Sequence, residues 1–217
     1  MELDGRIGDI MELCLYNSVL TSMSHNGKAF TYHNQLASSD NDLDRRSDWF
    51  TVACCPPNIM RLLGQIGGYV WDLQGQDEQD ASIVAVHLFV ASKYQLPGKD
   101  SNTSISQKTD WPWQDTVRFE INGSAAVSLK IRIPIWAAEH YHLEPACSEA
   151  SFKQGYLTLP SKWLSDNKSF SLKLPMQSRW VAPPLQTGQD IAALARGPVV
   201  YCVEDFDNDW AEGHFKV

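Results

Sequence analysis

Residues 116–133 read TVRFEINGSAAVSLKIRI, two short runs rich in β-branched and aromatic residues, separated by Asn122-Gly123. Such runs favour β-strands, and an Asn-Gly pair between them indicates a hairpin. Similar runs recur from residue 80 onward, and strands are predicted over 83–90, 116–121, 127–133, 156–159, 170–174 and 198–203. Their spacing, with Gly, Pro, Asn and Asp between them, predicts a mainly β fold made of β-sandwich modules.

Upstream of these runs the pattern is helical. Apolar residues recur at three- and four-residue intervals near the start, at Ile7, Ile10, Met11, Cys14 and Leu15. This predicts a helix over residues 6–24. A second helix is predicted over 56–71, because its first two residues are prolines, which suit a first helical turn, and an apolar stripe follows. The polar residues 37–48 between the helices predict an exposed loop.

We therefore expect a helical part, residues 1–75, and a β-sandwich region, residues 76–217. Two amphipathic helices cannot close a helical domain by themselves, because each apolar stripe must be buried against a partner. The stripes are expected to pack on the sandwich or on further chain. If they stay uncovered, they predict self-association through exposed helix faces.

Charge and hydropathy exclude several classes of protein. There are 26 acidic and 18 basic residues, a net charge of −8, and Lys and Arg form no patch that could bind a phosphate backbone. We expect no nucleic-acid partner. No apolar stretch approaches the roughly 20 residues of a membrane-spanning helix. The first 20 residues carry five charged side chains and no signal-like apolar run, so the cytoplasm is the default expectation.

The cysteines do not indicate a disulfide framework, because their number is odd and their spacing irregular: Cys14, Cys54, Cys55, Cys147 and Cys202. The adjacent pair Cys54 and Cys55 is the least ordinary feature. It lies at the start of the second predicted helix, where unpaired backbone N–H groups favour a thiolate.

Three interpretations of the pair stay open on the residues alone. The cysteines could be small buried apolar residues, a redox-active vicinal disulfide, or two ligands of a soft metal such as zinc. Zinc usually takes four ligands, and the histidines have no metal-like spacing. Eight tryptophans are many for this length, and sugar sites favour aromatic side chains, but we expect at most two to touch a ligand.

Local strings in the helical part resemble the end of the catalytic domain of glycoside hydrolase family 127, which contains β-L-arabinofuranosidases. These strings are Leu15-Tyr-Asn17, Asn26-Gly-Lys28, Phe30-Thr-Tyr-His-Asn-Gln-Leu36, Asp48-Trp-Phe50 and Ala53-Cys-Cys-Pro-Pro-Asn58. Three further strings resemble the β-sandwich region of that family in the same order: Trp111-Pro-Trp113, Arg132-Ile-Pro-Ile-Trp136 and Ala195-Arg-Gly-Pro-Val-Val-Tyr-Cys-Val-Glu204.

The resemblance implies a retaining hydrolase that uses a cysteine where most glycosidases use a carboxylate. Cys54 maps to the nucleophile, Cys54 and Cys55 map to zinc ligands, and Glu12 matches a carboxylate near the sugar. It also implies that the two helices are the last ones of an incomplete (α/α) toroid. The acid/base glutamate and two more zinc ligands are expected in the preceding part of that toroid, so these 217 residues alone are expected to bind zinc poorly and to be inactive.

Two other functions compete with this interpretation. A β-rich, Trp-rich chain could be a non-catalytic carbohydrate-binding or domain-packing module. A vicinal-thiol redox or metal sensor is the third alternative.

Overall fold

The computed structural model describes residues 3–203, apart from 33–45, 50 and 53. The chain divides into two compact units. The first comprises Met1–Glu12 and Gly64–Met176, and the second comprises Leu13–Leu63 and Gln177–Val217. In the described part of the chain, no helix is both long and apolar enough to cross a membrane.

The described residues form four α-helices and thirteen strands. The helices are α1 (Gly5–Cys14), α2 (Cys55–Gly64), α3 (Gly67–Val70) and α4 (Ser161–Asp166). The strands are β1 (Trp71–Gln76), β2 (Ser82–Val86), β3 (Ser92–Gln95), β4 (Ser104–Lys108), β5 (Thr116–Asn122), β6 (Val127–Arg132), β7 (His142–Glu144), β8 (Ser151–Lys153), β9 (Tyr156–Leu159), β10 (Ser169–Lys173), β11 (Ser178–Val181), β12 (Ala193–Arg196) and β13 (Val199–Tyr201). The prediction of a mainly β fold is confirmed.

Two five-stranded sheets lie in the first unit, in the orders β1-β2-β6-β9-β8 and β3-β4-β5-β10-β7. All strand pairs in them are antiparallel except β2 with β6. Strand β5 buries every second residue, Val117, Phe119 and Ile121. Leu129, Ile131 and Leu159 are likewise buried in the other sheet. Two sheets in one compact unit, each with buried apolar residues, are what a β-sandwich consists of.

The hairpin predicted at Asn122-Gly123 is wrong, because β5 and β6 belong to different sheets. Gly123 has φ of +112° and lies so close to Thr103 that a Cβ there would collide with the Thr103 side chain. An L-residue with a side chain fits neither this dihedral nor this approach. The Asn-Gly turn therefore carries the chain from one sheet to the other.

The predicted helices are longer than the observed ones. The α-helix expected over 6–24 ends at Cys14 and continues as a π-helical turn, Leu15–Val19. In this turn the Asn17 side chain donates to the carbonyls of Leu13 and Pro198 and accepts from Val200 N. The helix expected over 56–71 is divided into α2 and α3, and Trp71 already belongs to β1.

Helix α1 turns its glycine face, and not Ile7 and Ile10 of the predicted apolar stripe, toward the β-strands. It buries Gly5, Gly8 and Glu12, whereas Ile7 and Ile10 are about 60% and 62% exposed. Gly5 approaches the β8–β9 turn so closely that a Cβ would lie 2.8 Å from Gly155 Cα. The glycine face fits because it lets the helix backbone lie against the β-strands.

One further prediction lies mostly outside the described residues. Of the loop predicted over 37–48, only 46–48 are described, and Ser47 pairs with Phe30 in an isolated bridge. The division of the chain at residues 75 and 76 stays a prediction.

Candidate active site

The vicinal cysteines lie at the start of α2 in the second unit, as their position before two prolines predicts. Cys55 is the first residue of α2, and Cys54 directly precedes it. Pro56 and Pro57 occupy the first turn, where a missing backbone N–H removes no helical hydrogen bond. Cys54 is exposed and Cys55 is partly exposed. The interpretation of the pair as two buried apolar residues is therefore wrong.

The two sulfur atoms lie together, although side chains of adjacent residues usually diverge. Cys54 Sγ is 3.1 Å from Cys55 Sγ, and both thiols are free. This separation is far longer than the roughly 2.05 Å of a disulfide bond. The Tyr32 hydroxyl lies 3.8 Å from Cys54 Sγ. The Cys54 sulfur thus contacts both a thiol and a phenol.

This arrangement distinguishes the two cysteines electrostatically. The thiol of Cys55, and next the hydroxyl of Tyr32, hydrogen-bond to Cys54 and hold its pKa below the ordinary thiol value. The same interaction raises the pKa of Cys55. The pKa of Tyr32 is also raised, because Cys54 beside it is the group that ionises. Of the two thiols, Cys54 is therefore the one whose ionisation these neighbours favour.

The backbone carrying the thiols is held from within α2. Asn58 donates from Nδ2 to the carbonyl oxygen of Cys54 over 2.8 Å. Arg61 in turn donates from Nη1 to Asn58 Oδ1 over 2.5 Å. A short relay therefore runs from Arg61 through Asn58 to the peptide group that joins the two cysteines.

The thiol pair fits half of a zinc site. Thiolate sulfur is a preferred zinc ligand, with a Zn–S distance of about 2.3 Å, which places two sulfurs of a tetrahedral site about 3.8 Å apart. The observed separation of Cys54 Sγ and Cys55 Sγ, 3.1 Å, is shorter than this by less than 1 Å. Within the described residues, no group of three or more His, Cys, Asp or Glu side chains could hold a metal ion. Those residues therefore supply two donors.

Glu12, the predicted sugar contact, lies in the first unit and is 2% exposed. Its carboxylate accepts a 3.0 Å hydrogen bond from Trp111 Nε1 and lies 2.9 Å from Arg132 Nη2. Burial raises the pKa of Glu12, and the charge and hydrogen bonds of Arg132 and Trp111 oppose that rise. Contact with a sugar would require these partners to be given up, and the role stays a prediction.

Arg132 is the centre of this buried cluster and is fully withdrawn from solvent. Besides Glu12 it contacts Asp9 over 2.5 Å, donates to the His87 carbonyl over 2.6 Å and lies over the Phe89 ring. Burial lowers the pKa of Arg132, but the two carboxylates outweigh that effect and raise it. Arg132 opens the family-like string Arg132-Ile-Pro-Ile-Trp136, but the sequence indicated no role for it. In the structure its cluster attaches α1 to the β-strands.

Sequence reasoning also missed Tyr32, and it assigned no role to Asn58 or Arg61. Tyr32 and Asn58 lie in the family-like strings at residues 30–36 and 53–58, and this position is the signal that could have identified them as candidate site residues. Their function depends on contacts with Cys54 that spacing along the chain does not reveal.

Comparison with known proteins places the whole chain in one class of enzymes, the glycoside hydrolases. Residues 1–68 match the β-L-arabinofuranosidase GH127 catalytic domain, residues 83–176 the GH127 middle domain, and residues 180–216 the glycoside hydrolase family 127 C-terminal domain. The chain belongs to glycoside hydrolase family 127.

Individual relatives agree with this assignment. A non-reducing end β-L-arabinofuranosidase of Bifidobacterium longum subsp. longum is 28% identical over 228 residues, covering 96% of this chain and 33% of the relative. A GH127 β-L-arabinofuranosidase from Geobacillus stearothermophilus T6 is similar in structure, with a TM-score of 0.77, 31% identity, and coverage of 95% of this chain and 34% of that one.

A second solved structure, of a GH127 β-arabinofuranosidase, has a TM-score of 0.79 at 26% identity and covers 94% of this chain and 34% of that one. The chain thus spans about a third of the length of the relatives that it matches.

Proposed function

We propose that these residues supply the nucleophile of a retaining glycoside hydrolase that acts on β-L-arabinofuranosides. The observation that carries the proposal is the thiol pair, in which Cys54 is exposed, lies 3.1 Å from Cys55 and has a lowered pKa. A thiolate held ionised in an accessible position is the form of cysteine that acts as a nucleophile. Membership of family 127 supplies the substrate class.

The reaction follows in two displacements at the anomeric carbon. Cys54 Sγ forms a bond to that carbon while the bond to the leaving oxygen breaks, and a carboxylic acid protonates this oxygen. Water then attacks the same carbon, the carbon–sulfur bond breaks, and the water proton passes to the carboxylate. Two inversions at one carbon give overall retention. The described residues contribute the sulfur and its donors to this scheme.

We further propose zinc as the cofactor, with Cys54 and Cys55 as two of its ligands. When bound, the metal would hold sulfur in the thiolate form. Donors beyond this pair are required, so the 217 residues alone are proposed to bind zinc weakly and to show no turnover. Elemental analysis tests this. One equivalent of zinc bound by the wild-type chain, and equally by Cys55→Ser, would contradict the assigned ligands.

A chimera tests the catalytic proposal. The matching third of the Bifidobacterium relative is replaced by these residues, and hydrolysis of a chromogenic β-L-arabinofuranoside is compared between the parent chimera and its Cys54→Ala variant. We expect turnover that falls by at least about 10³-fold on removal of the nucleophile. Cys147→Ala is the matched control and should retain activity. Equal activity of the Cys54→Ala and parent chimeras would exclude a cysteine nucleophile.

One observation favours a second function, binding of carbohydrate without turnover. In the sheet β11-β12-β13, Trp180 pairs with Leu194, which pairs with Tyr201, so the three side chains share one face. Their exposed fractions are 73%, 36% and 44%. The two exposed aromatic rings of this face, on either side of Leu194, can stack on sugar rings. Titration with arabinosides should then quench Trp fluorescence saturably, and Trp180→Ala should abolish that change, whereas Trp113→Ala should not.

A further inference from the structure

The relay from Arg61 through Asn58 acts on the peptide group between the two cysteines. That peptide group decides how the thiols lie, because the Cys54 ψ and the Cys55 φ set the angle between two adjacent side chains. Asn58 Nδ2 holds the Cys54 carbonyl oxygen over 2.8 Å, and Arg61 Nη1 holds Asn58 Oδ1 over 2.5 Å. The relay therefore restrains rotation of the peptide group that sets the relative direction of the two cysteine side chains.

We propose that Asn58 is a positioning residue for the thiol pair, which it holds in one orientation through the Cys54 carbonyl, and that Arg61 orients the Asn58 amide for this task. The effect on the sulfurs passes through the peptide backbone. This inference deepens the proposed function, because a nucleophile must approach the anomeric carbon in a narrow range of geometries. The role of Asn58 in catalysis rests on the proposed function. Its effect on the orientation of the two thiols can be measured without substrate.

The amide is suited to this task for a specific reason. One end donates to the carbonyl, while the other end accepts from the guanidinium, so the amide cannot rotate without losing both hydrogen bonds. An aspartate of the same size would still accept from Arg61 but could not donate to Cys54. Asn58→Asp therefore removes one hydrogen bond and keeps the volume. Asn58→Ala removes both.

The experiment measures how tightly the two sulfurs bind a reagent that needs both of them. Phenylarsine oxide condenses with two neighbouring thiols, forming two arsenic–sulfur bonds and releasing one water, and it binds a single thiol poorly. Its affinity for the 217-residue chain is measured with a metal chelator present, together with the circular dichroism and the thermal midpoint of each variant. We expect Asn58→Ala and Asn58→Asp to bind about threefold more weakly, at the low end of what one hydrogen bond contributes because the partners are exposed. Arg61→Met should weaken binding in the same direction, and Arg61→Lys should restore part of it.

Two controls separate positioning from a general loss of structure. Met60→Ala, on the same helix and at a side chain 57% exposed, should leave the affinity for phenylarsine oxide unchanged. In a Cys55→Ala background, alkylation of the remaining Cys54 by iodoacetamide should proceed at the same rate whether or not Asn58→Ala is also present, because one thiol needs no orientation relative to another. The first control tests whether any substitution on α2 weakens binding by the thiol pair. The second tests whether Asn58→Ala changes the reactivity of Cys54 itself.

The outcomes are decisive in both directions. A fall in affinity of about twofold or more in both Asn58 variants, with unchanged circular dichroism, supports the proposal. A smaller change in either variant, or an equal slowing of Cys54 alkylation in the single-thiol background, overturns it. An inactive chimera with intact phenylarsine oxide binding would instead contradict the proposed function, so the two failures can be told apart.

Discussion

Arg132 and Glu12 form an ion pair of 2.9 Å between two side chains that are 0% and 2% exposed. Arg132 is the last residue of β6, and Glu12 lies on α1, 120 positions earlier in the sequence. Removing Arg132 leaves the buried Glu12 carboxylate without this counter-charge, and removing Glu12 takes one of two carboxylate partners from the buried Arg132. Breaking a buried pair from one side in this way is costly.

Glu12→Leu and Arg132→Met are each expected to lower the free energy of unfolding by about 3–5 kcal/mol. The double variant should lose less than the sum of the two, because the loss of the Arg132–Glu12 pair then counts once, while Asp9 loses its contact with Arg132 in both Arg132 variants. Urea unfolding of the four proteins completes a double-mutant cycle. The exposed pair of Lys108 and Glu120 is the control, and Lys108→Ala should cost no more than about 1 kcal/mol. Additive losses would show that Arg132 and Glu12 do not interact.

Gly8→Ala is expected to destabilise the chain by about 1–3 kcal/mol, the usual cost of overpacking. A Cβ at residue 8 would overlap the aliphatic part of Arg132, whose head group is held by two carboxylates and a carbonyl. Gly64→Ala is the matched control, since nothing lies within 4 Å of a Cβ there. It should be neutral or stabilising, because Ala favours helix more than Gly does. A thermal midpoint that is the same in both variants would contradict this contact.

His87 is expected to make stability depend on pH. Burial is the main cause that lowers its pKa, Asp72 opposes the shift and Arg132 adds to it, and His87 Nδ1 lies 2.7 Å from Tyr156 Oη. Burial also raises the pKa of Tyr156 to about 12, so its hydroxyl stays protonated. Below the unfolded His pKa of about 6.5 the unfolded chain binds more protons than the folded chain. The His87 contribution is therefore full above about pH 6.5 and declines as the pH falls.

Urea unfolding at about pH 7.5, 6.5 and 5.5, values that bracket the unfolded His pKa, measures this effect. The free energy of unfolding should fall more steeply with acidification in the wild type than in His87→Gln. The difference between the two proteins isolates His87 from the carboxylates that titrate at lower pH. Parallel curves would mean that His87 titrates alike in both states.

Cys54 is expected to be alkylated before Cys55 and before the exposed Cys14. The hydrogen bond with Cys55, and next that with Tyr32, lowers the pKa of Cys54, which favours its thiolate form. Peptide mapping after brief treatment with iodoacetamide, in the presence of a chelator, measures the order. Tyr32→Phe and Cys55→Ala should each slow modification of Cys54. Faster labelling of Cys55 would reverse the assignment of the thiolate.

The sequence by itself determined the mainly β fold, the helix start at the vicinal cysteines and the family. These follow from local patterns: β-branched and aromatic runs favour strands, and two prolines after Cys55, followed by an apolar stripe, suit the first turn of a helix. Strand β9 was predicted with the bounds that it has in the structure, Tyr156–Leu159.

Only the tertiary structure decided how these elements are used. In the structure, the Asn122-Gly123 turn connects two different sheets. The pairing of strands depends on how their apolar faces pack within the whole unit and not on the turn alone. The tertiary structure directed Ile7 and Ile10 outward and the Gly8 face of α1 inward, because Arg132 needs carboxylates close by in the absence of water. It also brought Tyr32 and Asn58 to Cys54 from opposite sides in sequence. Periodicity reports which residues share a face of one element, whereas a site depends on which elements meet, and that is set by long-range packing.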